Sequence, residues 1–70
     1  MIKSIKELDR WIEKFPDALF IHYFDDTFRI QAHDDLHKNV SLRVRDAVRK
    51  AGRIKLIGQG SDAYFFKFVK

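Results

Sequence analysis

A chain of 70 residues with net charge +4 and no cysteine reads as one domain, 1–70, near the size at which a single hydrophobic core only just offsets the entropy of ordering it. The lack of cysteine excludes a disulfide framework and a thiolate zinc site. Lys3, Lys6, Glu7, Asp9 and Arg10 break up the first apolar cluster, which is unlike a secretory leader, and no apolar run approaches membrane-spanning length; the expectation is a cytoplasmic protein with no membrane partner.

The elements follow in chain order. Ser4-Ile5-Lys6-Glu7 has the form of a capping box, a hydroxyl at the helix start and a carboxylate three residues on. Ile5, Leu8, Trp11, Ile12 and Phe15 then recur on one helical face, and Pro16 closes the pattern, so a helix is predicted over 5–15. Ala18 to Phe24 is a β-branched and aromatic run; Asp25-Asp26 makes a turn; Thr27 to Ala32 alternates, with Phe28, Ile30 and Ala32 on one side. This is a predicted hairpin.

A polar stretch, 33–39, leads to a second helical pattern in which Val40, Val44, Ala47, Val48 and Ala51 share a face and Gly52 is the stop. Its cap is either Asp34 or Asp35, since Leu36 also falls on the apolar face, or Asn39, which leaves 33–38 as loop. Arg53 to Ile57 is the next strand, Gly58-Gln59-Gly60-Ser61-Asp62 a turn, and Ala63 to Val69 the last strand. A shift of 36 residues superposes Leu8 on Val44, Ile12 on Val48, Ile21 on Ile57, Phe28 on Tyr64 and Ile30 on Phe66. The chain thus reads as a pseudo-repeat, 4–33 and 36–69.

The predicted fold is α+β in two layers: a tandem helix-strand-strand repeat (αββαββ) with a four-stranded, mostly antiparallel sheet and both helices on one face. That register puts Phe20, Phe28, Ile30, Ile54, Leu56, Tyr64, Phe66 and Phe68 under the helices. The other face carries Leu19, Ile21, Tyr23, Arg29, Gln31, Lys55, Ile57, Phe65, Lys67 and Val69. A face meant only for water would be more uniformly polar.

Charge is unevenly distributed. Residues 1–36 hold five Lys or Arg against eight Asp or Glu, and residues 37–70 hold nine against two, so the halves carry about −3 and +7. Such polarity orients a protein on a polyanion or aligns two copies head to tail; the competing explanation is a surface kept soluble by charge. On the mixed sheet face Tyr23 and Phe65 are placed to stack bases and Arg29, Lys55 and Lys67 to neutralise phosphates. On the second helix Arg43, Arg45, Arg49 and Lys50, followed by Arg53, can grip a nucleic-acid backbone without sequence discrimination. Against this, Leu19, Ile21, Ile57, Phe65 and Val69 also suit a homodimer interface.

His33-Asp34-Asp35-Leu36-His37 contains metal-ligand types, but adjacent aspartates are ordinary turn residues, and no metal or other cofactor is expected. His22 lies within an apolar strand and reads as a hydrogen-bonded spectator. No nucleophile–base motif or phosphate-cradling glycine loop occurs, so the expectation is not an enzyme.

Val48-Arg49-Lys50-Ala51-Gly52 followed by Gly58-Gln59-Gly60-Ser61-Asp62-Ala63-Tyr64-Phe65 resembles the helix–strand–strand start of HicA-type RNA-cleaving toxins. In that family the Gly-Ser pair is followed by the catalytic histidine, whereas Asp62 and Ala63 stand here, so the resemblance does not carry the activity over. A divergent ribonuclease would need activity that disappears with one of the three histidines. The leading expectation is a non-catalytic module binding DNA or RNA through its basic second half. The alternative is a small regulator or inhibitor that meets an acidic protein partner with the exposed apolar and basic sheet face.

Overall fold

Ser4 opens the first helix as its hydroxyl position requires. In the computed structural model, which describes residues 1–69, α1 spans Ile5–Lys14, and Ser4 Oγ accepts from the Glu7 amide at 3.2 Å. The Glu7 carboxylate accepts from the Lys3 amide at 3.4 Å, one residue earlier than a full capping box would use. Phe15 ends the helix just ahead of Pro16.

The strands are β1 (Leu19–Tyr23), β2 (Phe28–His33), β3 (Leu36–Asn39), β4 (Ile54–Gln59) and β5 (Ala63–Phe68), with α2 (Leu42–Lys50) between β3 and β4. They form one sheet in the order β3-β2-β1-β5-β4, antiparallel at every neighbour. The sheet therefore has five strands, not the four expected. The helix-strand-strand layout holds, with β3 inserted between its two halves. Leu36-His37-Lys38-Asn39 carries no alternating apolar signal because it is an edge strand, where charged and polar residues are tolerated and discourage further pairing. Asp34-Asp35 is its hairpin connection, and a bulge at Ala32 absorbs the change of register.

Neither candidate cap at residues 34–35 or 39 opens α2, because those residues belong to this hairpin. Ser41 does so instead, its Oγ accepting from the Val44 amide at 3.3 Å. The predicted stop holds: Gly52 has φ +66, its amide donates to Arg49 and the Arg53 amide to Val48, the paired bonds of a Schellman ending. β4 continues to Gln59 through a bulge at Ile57, so Gly58 and Gln59 are strand rather than turn. In the first hairpin Asp26 has φ 72, and Asp25 accepts from the Thr27 amide at 3.0 Å. Hydrogen bonds from the Thr27 side chain and then its amide hold the Asp25 carboxyl below its ordinary pKa. This contribution to the turn is present near neutral pH and is lost on acidification.

Leu8 of α1 and Val44 and Val48 of α2 share one buried cluster with Phe20, Phe28 and Ile30, which puts both helices on the same sheet face. Phe20 packs on Phe28 at 5.2 Å and edge-on to Phe68 at 5.6 Å between ring centroids. Ile54, Phe66 and Phe68 join this core as the register expected. Leu56 does not: on the edge strand it is 53% exposed. Among the described residues no helix is long and apolar enough to cross a membrane.

Ile2 was invisible to periodicity. It bridges Val40 in parallel, donates to Asn39 and accepts from Ser41, and is 1% exposed within the core. Ile2→Ala is therefore expected to cost about 2–4 kcal/mol of stability, measured by urea denaturation.

Candidate nucleic-acid interface

Residues directly opposite each other in antiparallel strands share a face, so the pairings order the helix-free side of the sheet into rows. One row runs His37, Gln31, Leu19, Lys67, Lys55 from β3 to β4. The next runs Asn39, Arg29, Ile21, Phe65, Gly58, and beyond it Tyr23 stands opposite Ala63. Five of the predicted site residues, Tyr23, Arg29, Lys55, Phe65 and Lys67, therefore share this face. The fifth strand adds His37 and Asn39 to it, which sequence reading missed because it held those residues as loop or helix start.

The face is built rather than merely left over. Ile21 is 5% exposed and Ala63 fully buried, although both stand on the side of the sheet that α1 and α2 leave open. The Arg29 guanidinium lies over the Tyr23 ring, 5.1 Å from its centroid, and its buried Nε has no hydrogen-bond partner among the described residues. The Phe65 ring lies against Gly60, where an added Cβ would stand 3.0 Å from Cε2; only glycine leaves the ring that room. Lys55 and Lys67 are exposed and directly opposed, an arrangement of like charges that weakens a sheet.

The cations predicted on α2 and after it divide into two groups. Arg45 donates from Nη1 to Asp26 at 2.8 Å and from Nε to Asp46 at 3.0 Å, with its guanidinium 5.0 Å from the Phe28 centroid. Arg49 donates to His22 Nδ1 at 3.1 Å and also lies over Phe28. A guanidinium can only donate, so His22 Nδ1 is the acceptor and its Nε2–H faces Asp26 Oδ1 at 3.2 Å. The His22 ring stacks on Phe28 at 4.1 Å. Arg53 pairs with Asp9 at 2.6 Å. Arg43 and Lys50 are exposed, and with Lys55 and Lys67 they make no ion pair among the described residues.

Arg45, Arg49 and Arg53 are thus engaged with groups from the acidic half, and the ten predicted residues do not form one surface. The Asp26 hub joins residues 19 apart in sequence, which no local pattern reveals. The placement of His22 had a signal: it lies two residues from Phe20 and so shares the helix-covered side. The Asp9–Arg53 pair is partly exposed; Asp9→Asn is expected to cost less than about 1 kcal/mol, read from the same urea transitions.

Among the described residues no group of three or more His, Asp or Glu is gathered to hold a metal ion. In the β4–β5 turn, Asp62 accepts the Phe24 amide through its carbonyl and Ala63 is buried, so no imidazole stands where the HicA-like resemblance would need one. No protein family, curated protein or solved structure matches the chain.

Proposed function

We propose that this chain is a small, non-catalytic, cytoplasmic nucleic-acid-binding module that attaches to phosphates through the cations of its second half. One observation carries the reading. With Arg45 and Arg53 in ion pairs and Arg49 hydrogen-bonded to His22, Arg43, Lys50, Lys55 and Lys67 remain exposed with neither an ion pair nor a side-chain hydrogen bond among the described residues, and two of them are set directly opposite each other. A polyanion relieves that repulsion, and released counterions drive the association.

The test is fluorescence anisotropy with labelled single- and double-stranded DNA and RNA at low and near-physiological salt. Micromolar or tighter binding that weakens steeply with salt is expected; salt-insensitive binding, or none beyond weak low-salt attraction, overturns the reading.

A second reading is a protein-interaction module, favoured by Ile57 on the edge strand β4 at 50% exposure and Val69 just after β5 at 45%. An apolar hot spot would then make Phe65→Ala cost more than any single Arg→Ala in binding an acidic protein.

A further inference from the structure

We infer that the ligand is a single strand of nucleic acid laid across the open sheet face, with phosphates over Lys67 and Lys55 and a base stacked at Phe65. This rests on the nucleic-acid reading above and names its site and ligand. Lys67 and Phe65 are two residues apart on β5, which sets the cationic row and the aromatic row ~7 Å apart along the strand. A chain whose backbone follows the first row can therefore turn its bases onto the second.

That second row continues through Ile21 to Arg29, whose guanidinium already lies over Tyr23 and supplies a planar cation two strands from Phe65. Arg29 stands on β2 beside the central strand; its Nε is buried without a hydrogen-bond partner, and its charge has no ion pair among the described residues. Gly58 opposite Phe65 adds no side chain to the approach, and Gly60 leaves the ring its seat.

A duplex does not suit this surface. Its bases are stacked on one another and offer no free ring face to Phe65, whereas the unstacked bases of a single strand can lie on aromatic rings. On α2, among the described residues, Arg43 and Lys50 are the cations without a side-chain partner, a short footing for duplex phosphates.

The decisive variant is Lys55→Glu. It converts the cross-strand repulsion with Lys67 into an ion pair, so the melting midpoint is expected to rise by a few degrees. Affinity for oligothymidylate and oligouridylate is expected to fall several-fold. A residue with only a structural role would move stability and binding in the same direction. Phe65→Leu keeps an apolar side chain but removes the stacking surface, and about tenfold weaker single-strand binding is expected; Gly60→Ala, which displaces the ring without removing it, is expected to lower affinity less. Circular dichroism of each variant establishes that it is folded.

Several outcomes overturn the inference while leaving nucleic-acid binding intact. One is a preference for duplex over single strand. Another is a greater loss from Arg43→Ala with Lys50→Ala than from Lys55→Glu, and a third is unchanged affinity in Phe65→Leu. If the wild-type chain binds no nucleic acid and only an acidic protein, both the inference and the reading beneath it fail.

Discussion

Phe20→Ala is expected to leave much of the chain unfolded at room temperature. Phe20 is fully buried on β1, the middle strand of the sheet order, with Phe28 on one side and Phe68 on the other. Truncating such a ring removes its transfer free energy and leaves a cavity, together about 3–5 kcal/mol. A domain of this length has on the order of 4–10 kcal/mol of total stability, so the loss is comparable to the whole. Far-UV circular dichroism across a urea series measures it. Phe20→Leu is expected to retain the fold with a loss nearer 1.5 kcal/mol. A cost below about 1 kcal/mol for the alanine variant would mean that the aromatic cluster is not the centre of the core.

The largest effect on binding is expected from replacing both Lys55 and Lys67 with glutamate. The pair remains like-charged and directly opposed, so the cross-strand repulsion is kept and stability should change little. Only the sign seen by the ligand is inverted. Two phosphate contacts are lost, which lowers the salt slope of single-strand binding by roughly 1.5 units and weakens binding by at least about tenfold near physiological salt. Titrations at several salt concentrations give both quantities. A slope equal to that of the unmodified chain would show that neither lysine meets a phosphate.

What the sequence made legible was what short-range physics decides. The cap at Ser4, the end before Pro16, the stop at Gly52 and the alternation of β2 each follow from groups within one turn or two strand residues of each other. The inward set Phe20, Phe28, Ile30, Phe66 and Phe68 followed from the same alternation. β3 escaped because an edge strand with one neighbour and polar residues leaves no periodic trace, and its hairpin placed Leu36 where a helical spacing also fitted. Ile2 escaped because a lone bridge to Val40 has no period at all.

The site was legible in part for a related reason. Rows on a sheet follow from alternation, so the company of Tyr23, Arg29, Phe65, Lys55 and Lys67 could be anticipated. Internal neutralisation could not. Arg45 finds Asp26 across 19 residues and Arg53 finds Asp9 across 44, and only the packed fold brings them together. The charge asymmetry between the halves is consequently spent partly within the molecule, and what remains unpaired is a smaller set of cations than a count of residues suggests, divided between α2 and the open sheet face.

The central claim, that the open sheet face carries the ligand, is tested most directly by mapping amide chemical-shift changes on isotope-labelled protein titrated with oligothymidylate and oligouridylate. The account predicts that the perturbed amides concentrate on β1, β5 and β4, around Leu19, Ile21, Phe65, Lys67 and Lys55, with α2 largely unaffected. Perturbations confined to α2, around Arg43 and Lys50, or no perturbation at saturating oligonucleotide, would contradict it.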